Sequence, residues 1–432
     1  MTTICVDGLN LALAHGTGIQ TYARNLLLGA TTAGISTQVL FGQDIPNSVK
    51  PLERAALLAD RDTTPPARSR LDRIARRATR ISTPIGRAAM EVSMADKVMW
   101  PNGAPPPAST VWHCSNLFAD SNRSFSKHNA MAPLIFKGEA QKPDVVHWTT
   151  FLPIHARKQA NVYTLHDLIP LRAPYTTRHD RVKYAKLCRA VFDKADAVVA
   201  ISETTRRDAI EMFGISENKL TVIHQSVNPP PSIVSRSESD IERDIDTQFE
   251  LEYKNFFLFF GAIEPKKNLL RTIEAILTSD TTMPLVIVGH RGWLNDAEKF
   301  HLKNFTQKNT NSSNRIIHLD YLSETQLATL IRGARATVFP SVYEGFGLPA
   351  LESMMLGTPV LASQTPALAE VCGEAACYAD PLDITSIRNA FTLLSRESAY
   401  CEELSRNGKT RSEAFSPSIY AEKLGQLYAN IS

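Results

Sequence analysis

Nowhere does the chain reach the roughly 18 consecutive apolar residues that a membrane-spanning helix needs. Its start, MTTICVDGLN, has no charged leader and reads as a first strand rather than a signal peptide. Excess charge is missing as well: a net charge of +3 over 432 residues gives no reason to expect a nucleic-acid partner. Cysteine is scarce and scattered. Cys5, Cys114, Cys188, Cys372, Cys377 and Cys401 form no CxxC pair, so reduced thiols of a cytosolic protein are expected, not a disulfide framework. What is present is ordinary for a soluble globular protein, with 43% hydrophobic and 21% charged residues. The length exceeds one ordinary core and suits two domains, folding and acting in the cytoplasm.

Short apolar runs alternate with helical patterns through both halves. In the first half the strand candidates are ICVDGLN, Asp144–Trp148, Asn161–Asp167, Ala195–Ser202 and Lys219–Val227. A Gly-rich turn, AHGTGIQ, separates the first of them from the helical TYARNLLLGA. Ser202 is placed to cap the helix that follows it. In the second half they are Phe256–Gly261, Pro284–Gly289, Arg315–Asp320, Ala336–Ser341 and Thr358–Ser363. Continuous apolar strands suit parallel sheets covered on both faces. The expected class is therefore α/β, with two Rossmann-like domains facing a cleft and ligands beyond the C-terminal strand ends. The boundaries read as 1–228 for the first domain, 229–255 for a Pro/Ser/acid-rich linker and 256–414 for the second domain. A returning helix then occupies 415–432, where Ile419, Leu424, Leu427 and Ile431 share roughly one face.

Residues 62–130 interrupt the pattern as a basic, Pro-rich insertion. Arginines stand at 68, 70, 73, 76, 77, 80 and 87, with Leu71, Ile74, Ala75 and Ala78 at helical spacing. Segment 68–87 reads either as a basic amphipathic helix on an anionic membrane or as a solvated insertion.

The densest chemistry lies in PSVYEGFGLPALESMMLGTPV, Pro340–Val360. A strand ends near Pro340, a glycine loop follows, and Pro349 fits the first position of a helix ended by Gly357 and Pro359. Glu344 then lies in the loop and Glu352 in the first helical turn or just past it. Between them, backbone N–H groups around Phe346, Gly347 and Leu348 are suited to phosphate. An anion flanked by two hydroxyl-reading carboxylates has the layout of a nucleotide-sugar: Glu344 on the sugar, Glu352 on the ribose.

This stretch resembles the retaining glycosyltransferases of family 4, which have the GT-B fold. FFGAIEPKKNLLRTIEA, LVIVGHRGW, HLDYLSETQLATLIRGA and ALAEVCGEAACYADP are similar to later landmarks of that family. GTGIQTYARNLL, PDVVHWT, TLHDLIPL and ISETTRRD are similar to its acceptor-side landmarks, and the wording is nearest to mannosyltransferase-like members of polysaccharide assembly. The resemblance implies that Lys267 neutralises the leaving diphosphate. Lys266 stands beside it, and Ala262 occupies the place where many members carry an arginine. It also implies that Gly18 lets backbone amides approach the donor phosphate, and that the C-terminal helix crosses back to the first domain. Gln20 is an acceptor-side candidate. His166, at the end of a strand, can donate to a sugar hydroxyl or steady developing charge, with Asp167 bracing it or capping the turn.

From the same resemblance follow transfer with retention, a nucleotide-sugar donor such as GDP-mannose and a glycan or lipid-linked glycan acceptor. No cofactor or metal is expected, since Asp60–Asp62 and Asp244–Asp246 mimic a metal motif only by chance. A nucleotide-sugar epimerase and a non-catalytic scaffold on the same fold are the competing readings. Neither sugar, base nor linkage is readable from these motifs.

Overall fold

The structure is a computed structural model that describes residues 2–12, 18–46, 49–59, 87–92, 108–178, 180–289, 315–319 and 322–431. In the first half, strands form at β1 (Thr3–Asp7), β2 (Ser36–Phe41), β3 (Arg87–Val92), β4 (Thr110–His113), β5 (Ala132–Lys137), β6 (Val145–Trp148), β7 (Ile154–Ala156), β8 (Ala160–Leu165), β9 (Ala197–Ala200) and β10 (Leu220–Val222). They make one sheet in the order β10-β9-β8-β6-β1-β2-β4-β3-β5-β7. Every pairing is parallel except that of β3 with β4. The strands at its centre are buried throughout, so they read as unbroken apolar text.

The second half holds β11 (Phe257–Phe260), β12 (Leu285–Val288), β13 (Ile316–Leu319), β14 (Ala336–Phe339), β15 (Val360–Ser363) and β16 (Ala376–Ala379). Their order, β13-β12-β11-β14-β15-β16, is that of a dinucleotide-binding sheet, all parallel. Strand order reverses between β11 and β14, which leaves a crevice beyond their C-terminal ends. The two sheets are those of the GT-B architecture.

The chain closes with the helix Pro417–Ala429, which returns to the first domain. Tyr420, Ala421, Leu424, Leu427 and Tyr428 form its buried stripe. The tyrosines, rather than Ile419 and Ile431, complete the face read from the sequence. Gly29 admits this helix: a Cβ there would lie 2.8 Å from the Tyr420 ring. Tyr428 bonds through its hydroxyl to His147 Nδ1 inside the first domain.

Three expectations change. Residues 229–255 join the sheets but are not a plain linker, because they contain the helices Pro231–Val234 and Glu238–Phe249. Ile241 and Ile245 are four apart and fully buried, an apolar stripe masked by the acids around it. Asp244, from the Asp244–Asp246 triplet, is ion-paired with Arg236 on this helical unit. Residues 110–128 are not an insertion either: TVWH is β4 and Leu117–His128 is a helix, with Trp112 fully buried. Arg87 belongs to β3 and lies 3.6 Å from the carboxylate of Asp120, so it is part of a strand rather than of a helix. The other arginines of segment 68–87, the Asp60–Asp62 triplet and residues 13–17 of the first turn lie outside the described residues. All six cysteines are free, buried thiols.

Candidate active site

Beyond β11 the chain passes Gly261, whose φ of 123° only glycine adopts readily. Gly289, after β12, is pressed so closely on it that a Cβ would lie 2.0 Å from the Gly261 carbonyl oxygen. A single 3-10 turn, Pro265–Lys267, then leads through left-handed Asn268 into the helix Leu269–Leu277. Asn268 donates from Nδ2 to the carbonyls of Pro340 (3.0 Å) and Pro381 (2.6 Å). Val342 N–H donates to the Lys266 carbonyl (2.8 Å). These bonds lay the loop after β14 alongside the lysine turn.

Lys267 Nζ consequently lies 2.6 Å from Glu344 Oε1, with side-chain exposures of 14% and 10%. Burial works to raise the Glu344 pKa, but Lys267 and then Lys266 outweigh it and hold the carboxyl below its ordinary value. Burial likewise opposes the charge on Lys266, yet Glu344, Asp167 and Glu264 together keep its pKa above the ordinary value. A second cation thus stands at the site although Ala262 has no charge, and part of its field comes from Asp167 of the other domain.

The helix Leu348–Met355 starts beside this pair, with Gly347 as N-cap at φ 119°. Pro349 occupies its second residue, one later than the sequence suggested. Ala350 and Leu351 donate to the Gly347 carbonyl (3.0 and 3.1 Å). The N–H groups of Gly347 and Leu348 have no acceptor among the described residues, which is the condition for an anion cradle. Gly18 opens the helix Gly18–Thr32 across the cleft, and a Cβ on it would lie 3.9 Å from Leu348 Cδ1. Two helix N-termini, one from each domain, therefore meet here.

Glu352 is the fifth residue of its helix, half-buried, and its carboxylate has no hydrogen-bond or ion-pair partner among the described residues. Burial, then the charge of Glu324, pushes its pKa up to about 7. His166 lies just past β8. Its Nε2 is 2.7 Å from the Thr149 carbonyl and its ring meets Tyr22 edge-on at 4.9 Å. Burial lowers its pKa and favours the neutral ring; with Nε2 donating to that carbonyl, the lone pair lies on Nδ1. In that tautomer Nδ1 accepts, so of the two roles read from the sequence, donating to a sugar hydroxyl or steadying developing charge, the first does not fit this nitrogen. Asp167 caps the turn through Ile169 N–H (3.0 Å), the second of the two roles considered for it.

Two sequence-derived candidates sit deeper than expected. Gln20 is 3% exposed inside its helix, with little surface to offer an acceptor. Phe346 is 2% exposed and packs between His224 and Phe415, at 6.0 and 5.8 Å. Its ring anchors the loop, leaving only its backbone for a ligand. One participant escaped the sequence reading. Asp7 ends β1 fully buried, accepting N–H groups from Thr149 and Leu9, and burial pushes its pKa up to about 6. It holds the N–H of Thr149, the residue whose carbonyl orients His166. An acid closing an apolar strand, as in ICVD, was the available signal.

Two family models match the chain: Glycosyltransferase Family 4 over residues 98–229 and Glycosyl transferases group 1 over residues 240–411. The chain is 29% identical over 280 residues to O-antigen chain mannosyltransferase B of Escherichia coli, covering 64% of this chain and 71% of that one. It is 28% identical over 297 residues to the serotype-specific mannosyltransferase WbdA of Escherichia coli, covering 63% of this chain but only 35% of that longer one. Among solved structures it is similar to sucrose-phosphate synthase from Thermosynechococcus elongatus, with a TM-score of 0.67, 18% identity, and 100% and 99% of the two chains covered.

Proposed function

We propose that this chain, which belongs to the glycosyltransferases through both its family 4 half and its group 1 half, moves a hexose from a nucleotide-sugar to a hydroxyl of a glycan or lipid-linked glycan. The observation that carries this reading is the Lys267–Glu344 pair set against the N–H groups of Gly347 and Leu348, which find no acceptor among the described residues. In the proposed complex the diphosphate takes the helix N-terminus, Lys267 and Lys266. Glu344, released by Lys267, accepts hydrogen bonds from the sugar hydroxyls, and Glu352 accepts those of the ribose. Negative charge that grows on the diphosphate as the glycosidic bond breaks meets fixed dipoles and cations.

Transfer is proposed to retain anomeric configuration. The acceptor hydroxyl attacks C1 on the face from which the diphosphate departs. A new C1–O bond forms, the C1–O phosphate bond breaks with its electron pair passing to the diphosphate, and a phosphate oxygen takes the hydroxyl proton. His166, through Nδ1, orients a hydroxyl on that face. No metal ion is needed in this scheme, because cations and helix N-termini carry the diphosphate charge. Mannose from GDP-mannose is the first donor to test, supported by the mannosyltransferase names of the relatives.

The test is a nucleotide-sugar panel assayed for nucleoside diphosphate release, with and without a glycan acceptor. Acceptor-dependent release from one donor supports transfer. Conversion of the donor to an epimer, or donor binding without turnover, would replace this reading by an epimerase or a scaffold.

A further inference from the structure

The loop 341–347 is held from both domains. Its contacts alternate between the two. Val342 bonds to Lys266 and Glu344 to Lys267, both in the second domain. Tyr343 and Gly345 face the first domain. The Tyr343 hydroxyl donates to Asp208 Oδ2 on the helix Glu203–Phe213. The Gly345 carbonyl accepts from Ser202 Oγ (2.7 Å) and Thr205 Oγ1 (3.3 Å). A Cβ on Gly345 would lie 2.1 Å from the His166 carbonyl oxygen, so glycine is required for this approach.

Asp208 is itself pinned. It is 6% exposed and accepts from Arg172 Nε (2.8 Å), whose guanidinium also engages Glu211. A buried carboxylate with a bidentate-capable guanidinium behind it and one phenol in front has a fixed direction. Burial, then Asp208, raises the Tyr343 pKa far above physiological pH, so the phenol remains the donor.

We propose that Asp208 is a positioning residue for the donor-side glutamate: by holding Tyr343 from the opposite domain, it places Glu344 against Lys267 and the helix N-terminus only when the two domains are docked. Catalytic geometry on the donor side is thereby coupled to the acceptor-side domain. This inference rests on the glycosyltransferase reading of the site for its catalytic consequence, but not for its structural one.

The experiment uses the full chain with Tyr343→Phe, Asp208→Asn and the double variant. Hydrogen exchange of the peptides covering 341–347 and the steady-state transfer kinetics are both read. Exchange at 341–347 is expected to rise in each variant. The turnover number is expected to fall roughly 10- to 100-fold, as for a misplaced reacting group, with donor KM changed less than about threefold. The double variant should be no worse than the worse single one, since both remove one contact. Unchanged exchange overturns the docking. Raised exchange with undiminished turnover overturns the positioning role. A wild-type chain that transfers from no donor sinks the glycosyltransferase reading and the catalytic consequence with it, while the exchange result still decides the docking.

Discussion

A half-buried carboxylate without a donor resists ionisation, and Glu352, which has none among the described residues, is pushed up to about 7. Its folded pKa lies above the ordinary 4.5. Between these values the folded state binds the extra proton, so Glu352 takes stability away as pH rises through that window. Ribose hydroxyls bond more strongly to the anion. Donor affinity, read by calorimetry with the matching nucleoside diphosphate, should therefore rise between pH 6 and 8, and Glu352→Gln should flatten that rise. Glu344 behaves in the opposite way, since its lysines hold the pKa down. Glu344→Gln is expected to cut transfer by at least about 10²-fold, the scale for losing a group used in the transition state, without the same pH signature. Near-wild-type turnover in that variant would remove Glu344 from the mechanism. Both glutamates were legible in the sequence because glycine and proline mark the turn between them. The direction of each shift was not, because it depends on which charges fold against the carboxyl.

At the level of elements, two junctions carry the arrangement. Gly345 lets the loop after β14 touch the carbonyl that follows β8, and an added methyl would strike backbone rather than a flexible side chain. Gly345→Ala should lower stability by about 1–3 kcal/mol, the usual cost of overpacking, together with turnover. A melting curve and an assay check it. The returning helix seals the first domain through Tyr428 and His147. Tyr428→Phe leaves a buried ring nitrogen without its partner and should cost about 1–3 kcal/mol, measured by denaturant titration, with nucleotide affinity unaltered. The strands written as apolar runs, such as β1, β6, β11 and β12, were readable from sequence, but central β2, which opens on the polar Ser-Thr-Gln, was not. Short or mixed ones, such as the three-residue β7 and the Trp-bearing β4, were not. Their pairing depends on neighbours far along the chain, and single-strand periodicity is too brief to show it. The helix Glu238–Phe249 was hidden for a related reason. Its two buried isoleucines are outnumbered by solvated acids, and only packing against Gly333 reveals the face.

For the whole molecule, the site exists only where the two sheets meet. Glu370 of the second domain accepts from Glu203 N–H (2.7 Å) and Thr204 N–H (3.0 Å) at a helix start of the first, and from His224 (2.7 Å). A ligand bridging the cleft should therefore stabilise the chain as one unit. At a hundredfold excess over its dissociation constant, nucleoside diphosphate is expected to add about 2.7 kcal/mol, seen as a single shifted melting transition. That shift should survive a chelator, and its loss in chelator with recovery on manganese would show that a metal belongs to the site. The sequence by itself determined the class of fold, because parallel strands buried on both faces must be written as apolar runs. It also determined the glycine turn and helix start at Gly347 and Leu348, because helix starts and glycine turns are local events. Tertiary structure decided who faces whom. Lys267 and Glu344 stand 77 positions apart, and Asp208 and Tyr343 stand 135 apart. No local rule of spacing can join them. Only the docking of one sheet against the other brings those charges within reach and so fixes which of them are paired and which nitrogen of His166 is engaged.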